Sequence, residues 1–206
     1  MIGPAEIFTL FFVTLGPLKI LGPFAQRTRD LDDAVMRKVA VWAFAIATIA
    51  VVAGSWIGST LVANWHVEIG ALELAAGIIF LLVALNQLLE QYEPAHPAAP
   101  AEPLPSAPMA AAMRLLFPIV LTPYGIAAAI VLLARSADIE RAGIIVVLLV
   151  AIMILNLIAM LLARKILVGV TMIVLQVLGA VLGVLQAGLA IEFILAGLRE
   201  LRVIGG

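Results

Sequence analysis

The sequence predicts an all-α membrane protein of six transmembrane helices, arranged as two inverted three-helix repeats in which helices one and four are broken. Three observations carry that expectation. The first is composition: of 206 residues, 65% are hydrophobic and 12% charged. A soluble domain of this length could not hide so much apolar surface, so lipid must be the main solvent. The second is spacing. The windows 4–25, 39–63, 69–90, 112–134, 142–163 and 173–198 each offer about 20 mainly apolar residues, the length a helix needs to cross a bilayer. The third is a match between the halves. A shift of 106 lays "FFVTLGPLKI" (11–20) on "FPIVLTPYGI" (117–126) and, without a gap, Arg29 on Arg135, Gly77 on Gly183 and Ala84 on Ala190. Three spans per half make the second copy enter from the opposite side.

Taken in order, the first span carries its own breakers. "TLGPLKILGP", Thr14 to Pro23, holds Gly16, Pro17, Lys19, Gly22 and Pro23. The prolines lack an amide donor, and the glycines lower the cost of leaving helical geometry. The turn "QRTRDLDDAVMRK" leads to span two, "NWHVE" separates two from three, "RSADIER" four from five, and "RK" five from six. Glu93 to Pro108, "EPAHPAAPAEPLPSAP", has six prolines in sixteen residues. It reads as an extended, semi-rigid linker. The expected organisation is a first repeat over 1–92, a linker over 93–111 and a second repeat over 112–206. Span four repeats the break of span one in "LTPYGI", through Thr122, Pro123, Tyr124 and Gly125.

Arg27, Arg29, Arg37 and Lys38 crowd the first loop, which by the positive-inside tendency belongs in the cytoplasm. Both termini then lie outside a cytoplasmic (inner) membrane crossed several times. The net charge of −1 gives nucleic acid no basic face to bind. Without cysteine there is no disulfide, thiol catalyst or thiolate metal site. His66 and His96 fall in loops, outside any metal-ligand spacing, and no serine sits in a nucleophile motif, so neither an enzyme, a metal centre nor a cofactor is expected.

Paired breaks at matching positions point to a transporter site near the midplane, with half-helix N-termini offered to an anion and freed carbonyls to a cation. The substrate-binding set expected from them is Thr14, Gly16, Pro17, Lys19, Gly22, Pro23, Thr122, Pro123, Tyr124 and Gly125. Asn86 joins the set because the shift of 106 pairs it with Glu192. Lys19 lies about 20 Å along span one from Glu6, at 1.5 Å per residue, beyond the middle of the core. Ionisable groups there are costly and point to function. Lys19 is read as a counter-charge or a substitute for a coupling ion, against simple snorkelling, and Glu192 as an ion-coupling acid, against a water-facing carboxylate. Glu73, one turn into span three, is read as interfacial. Asn156 and Gln186 are read as interhelical hydrogen-bonding amides, and the Gly54/Gly58 and Gly179/Gly183 spacings as packing signals.

These residues resemble the MarC-type integral membrane proteins, also called the small neutral amino acid transporter family, within the lysine-exporter-like superfamily. The likeness spans essentially the whole chain. It rests on the proline break followed by "PFAQRTRD", on "FPIVLTPYGIAAAI", and on the close "LGAVLGVLQAGLAIEFILAGLREL". It implies six spans in inverted repeats and, for some members, uptake of glycine or alanine. Where the family has an amide or small residues, this chain carries Lys19, Tyr124 and Glu192. The expected function is a secondary transporter moving small neutral amino acids by ion-coupled alternating access. Its expected partners are a small-molecule substrate, the lipid bilayer, a proton or sodium ion, and further copies of itself in a homo-oligomer. The alternatives are a structural or regulatory membrane protein without transport and a carrier of a charged metabolite.

Overall fold

The computed structural model describes residues 3–92, 104–136, 138–169 and 172–204. In lipid every backbone group must find a partner within the protein, and helices meet that demand within one segment. The described residues are accordingly helical throughout: α1 Pro4–Leu15, α2 Pro17–Arg27, α3 Asp33–Asn64, α4 Ile69–Tyr92, α5 Pro108–Leu115, α6 Pro123–Ala134, α7 Ile139–Gly169 and α8 Met172–Glu200. A wide π-type turn, Leu116–Val120, continues α5. Four helices begin with proline at their first position (Pro4, Pro17, Pro108 and Pro123), where the missing amide costs nothing.

Five stretches among the described residues are long and apolar enough to cross a membrane: Pro4–Arg27, Asp33–Asn64, Ile69–Asn86, Ile139–Ile166 and Val177–Glu200. The sixth expected span, 112–134, is divided, leaving Pro123–Ala134 as a shorter apolar helix. Most of the expected linker, 93–103, lies outside the described residues, and α5 already begins within its last four positions.

The pairings are reciprocal. Helix α2 packs on α7 while α6 packs on α3, and α1 packs on α7 while α5 packs on α3. An alanine stripe on α3 (Ala40, Ala43, Ala47) lies fully buried in the main core with Phe11, Ile152 and Met153. Helices α4 and α8 run antiparallel in the most extensive contact, where an added Cβ on Gly77 would stand 2.8 Å from the Ile194 amide nitrogen and one on Gly197 would stand 2.6 Å from the Gly70 carbonyl oxygen. Small residues let these backbones approach closely. Gly183 serves the same contact against Leu88, and Gly58 meets Ile130, whereas Gly54 faces open space. Apolar side chains such as Ile49, Val147 and Val184 point outward, as lipid requires.

At one end of the bundle Arg164 ties the α2–α3 turn to α7. It donates to the carbonyls of Thr28 and Leu31 and reaches Asp33 at 2.5 Å. At the other end lie the start of α1, the α6–α7 turn and the close of α8.

Candidate functional site

Helix α1 stops at Leu15 for a local reason. The residue before a proline is pushed out of helical geometry, and Gly16 is extended at φ −72°, ψ 167°. The carbonyls of Val13, Thr14 and Leu15 thereby lose their helical donors: residue 17 has no N–H, and 18 and 19 lie beyond the break. A bare carbonyl in hydrocarbon costs several kcal/mol. Here all three are taken up by side chains of the second half. Gln186 Nε2 donates to Val13 at 3.2 Å, Thr122 Oγ1 to Thr14 at 3.1 Å, and Asn156 Nδ2 to Leu15 at 2.6 Å. The carbonyls expected to accept a cation are thus occupied from within. Gly16 is required by close approach, since a Cβ there would collide with the Phe12 carbonyl oxygen.

The second break is wider. Phe117, before Pro118, is extended at φ −114°, ψ 135°, and so are Leu121 and Thr122, before Pro123. Tyr124, in the first turn of α6, is buried and stacks on Phe80 of α4 with centroids 4.9 Å apart. Lys19 of α2 donates to its hydroxyl and holds Nζ 4.2 Å from its ring centroid, a cation–π contact. A Cβ on Gly125 would press on the Leu15 side chain and come within 2.8 Å of Thr122 Oγ1.

The two breaks therefore meet, bringing together Thr14, Gly16, Lys19, Thr122, Tyr124 and Gly125, with Pro17 and Pro123 opening the half-helices that leave them. The other expected residues stand apart. Gly22 and Pro23 lie inside an unbroken α2, with Pro23 exposed. Asn86 is on the exposed face of α4. The antiparallel pairing sets it level with Gly183, about 13 Å along α8 from Glu192 at 1.5 Å per residue. The Glu192 side chain is 64% exposed and is held by Arg199 at 3.5 Å.

Two polar residues at the break went beyond the sequence reading. Asn156 and Gln186 make the interhelical bonds expected of them, but to the broken backbone, and both are buried. A backbone carbonyl can only accept, so each amide must turn its NH2 toward it. That leaves Asn156 Oδ1 and Gln186 Oε1 buried and without a hydrogen-bond partner among the described residues. The visible signal was only an amide inside a long apolar run. Across the break, the first amides of α2 and α6 point to positive helix N-termini beside the Lys19 ammonium.

Toward the end of the bundle opposite Arg164 lies a cavity of 740 Å³, lined by Glu6, Leu10, Glu73, Arg135, Arg141, Leu189, Glu192 and their neighbours. Glu73, expected at the water interface, has a side chain only 4% exposed and is paired with Arg135. Arg135 also approaches Glu200 at 3.8 Å. The second Glu73 oxygen, Oε2, is buried and has no hydrogen-bond partner among the described residues.

Several apolar helices, a core of interlocked half-helices and an apolar outer face define a multi-pass integral membrane protein. Within that class the chain belongs to the MarC family: residues 5–202 match the family described as MarC family integral membrane protein. The chain is also similar to the UPF0056 membrane protein MJ1677 of Methanocaldococcus jannaschii, 23% identical over 196 residues that cover 93% of this chain and 94% of that protein. No solved structure matches.

Proposed function

We propose that the protein is a secondary transporter of small neutral amino acids such as glycine or alanine, working by ion-coupled alternating access in the cytoplasmic membrane with both termini outside. Residues 1–92 and 112–206 would be inverted repeats of three spans each, and the reciprocal packing of α2 on α7 with α6 on α3 supports that symmetry. The observation that carries the reading is the meeting of Lys19 and Tyr124 where the two chain breaks join. An ammonium and the N-termini of α2 and α6 suit a carboxylate, while the unpartnered oxygens of Asn156 and Gln186 suit an ammonium. One repeat element would rock against the rest around this site, driven by a proton or sodium gradient.

The test is uptake of radiolabelled glycine, alanine, serine and larger amino acids into proteoliposomes, with and without imposed proton and sodium gradients. Small amino acids should accumulate under one of the gradients. Lys19→Ala should reduce uptake at least about tenfold, the worth of a charge-assisted hydrogen bond, with normal expression. Unchanged uptake in Lys19→Ala would remove the site. No movement of any solute would leave a structural or regulatory membrane protein.

A further inference from the structure

Glu73 is an expensive residue in an unexpected place. A buried carboxylate is tolerated when its lone pairs are matched, and here one oxygen meets Arg135 while the buried Oε2 meets no hydrogen-bond partner among the described residues. That oxygen belongs to a side chain lining a cavity of 740 Å³, far more room than one water needs. The cavity's charges are mixed. Three carboxylates (Glu6, Glu73, Glu192) and two guanidinium groups (Arg135, Arg141) share its wall. A simple cation or a simple anion would meet repulsion there as well as attraction; a small molecule bearing both charges would meet a partner at each end. Among the described residues the acidic groups form no metal-holding cluster, so an ammonium is the better match for the Glu73 carboxylate than a divalent ion. Its lining includes Leu10, whose carbonyl accepts the Thr14 hydroxyl, and Leu189, which packs against the Phe80–Tyr124 pair. The cavity therefore adjoins residues in direct contact with the breaks.

We propose that this cavity is a second, outer binding site for a zwitterionic amino acid, with the Glu73 carboxylate accepting from the ammonium and Arg135 facing the carboxylate of the ligand. The ligand class rests on the transport reading; the site itself rests on Glu73. It would receive the amino acid before the molecule passes Leu10 and Leu189 to the Lys19–Tyr124 level.

The chain has no cysteine, so Ala196→Cys on the cavity wall supplies a single thiol. Its alkylation by a polar methanethiosulfonate, in purified detergent-solubilised protein, reads occupancy. Glycine or alanine at ten times its dissociation constant should slow alkylation roughly tenfold, as mass action requires. Glu73→Gln should abolish the slowing and Lys19→Ala should retain it. Propionate, which lacks the ammonium, and ethylamine, which lacks the carboxylate, should give none at equal concentration, a comparison that needs no change at Glu73. No slowing by either amino acid, slowing that survives Glu73→Gln, slowing lost in Lys19→Ala, or equal slowing by propionate or ethylamine would each overturn the outer site. Proteoliposome uptake separates the two ideas: uptake without protection removes the outer site alone, and protection without uptake removes the transport reading alone.

Discussion

The two chain breaks carry nearly the same sequence signature and are built differently. The first is a single extended residue, Gly16, between two helices. The second spreads over Phe117 to Thr122, with extended backbone at Phe117 and again at Leu121 and Thr122. The narrow break is held by others: its three freed carbonyls take side chains from the wide break, α7 and α8. The wide break gives rather than receives, through Thr122 to the backbone of α1, while Tyr124 accepts from Lys19. Similar proline signatures interrupt the chain in each half without fixing the chemistry at the interruption. The first break is satisfied by side chains from elsewhere, and the second supplies one of them. Each prediction below strains one side of that contrast.

The largest effect belongs to Gly16. A methyl group there would overlap the Phe12 carbonyl oxygen, and relief requires moving the last turn of α1. Gly16→Ala should destabilise the folded protein by more than about 3 kcal/mol, in the range of severe backbone conflicts. It should appear as a marked drop in thermal stability in detergent or as loss of folded protein. A melting temperature equal to that of the unmodified chain would mean that the narrow break is pliable.

Next come the side chains that satisfy the break. Asn156→Leu keeps the branched shape of the side chain but leaves the Leu15 carbonyl bare, and should cost about 1–2 kcal/mol, a buried acceptor losing its donor in a membrane interior. Thr122→Val removes the Oγ1–Thr14 bond with hardly any change of shape and should cost about 1 kcal/mol or less. Reversible unfolding in mixed micelles measures both. If Thr122→Val proved the costlier, the wide break would be the structural one and the assignment of roles would reverse.

The sequence exposed these features unevenly. Five of the six expected spans were legible because membrane thickness fixes how long an apolar run must be, and the break at Gly16 was legible because a proline restricts the residue before it by purely local sterics. Pro23 presents the same signature, yet α2 runs through it: losing one amide does not break a helix by itself. At Gly16 the lost bonds are replaced by Gln186, Thr122 and Asn156, whose positions depend on tertiary packing. For the same reason Asn156 and Gln186 could be read as hydrogen-bonding amides but not as residues of the site. Glu73 was read as interfacial from its depth along its helix, but depth says nothing about the Arg135 that pairs with it and the burial of its side chain. Lys19 and Tyr124 stood out as costly or unusual residues at the breaks, and their contact joins elements 105 positions apart in the chain, a distance no local pattern spans.

The smallest effect sharpens the contrast from within a single segment. Gly22 stands six residues after Gly16, inside α2, and an added Cβ would find nothing within 4 Å. Glycine in a helix interior costs about 0.5–1 kcal/mol relative to alanine, through backbone freedom lost on folding. Gly22→Ala should therefore stabilise the protein by about that amount, a small rise in melting temperature where Gly16→Ala gives a large fall. Opposite signs at two glycines of one ten-residue stretch would separate a glycine the backbone requires from one it merely tolerates. A fall at both positions would instead mean that α2 has to bend at Gly22–Pro23, and the first half would then hold two interruptions against the second half's one.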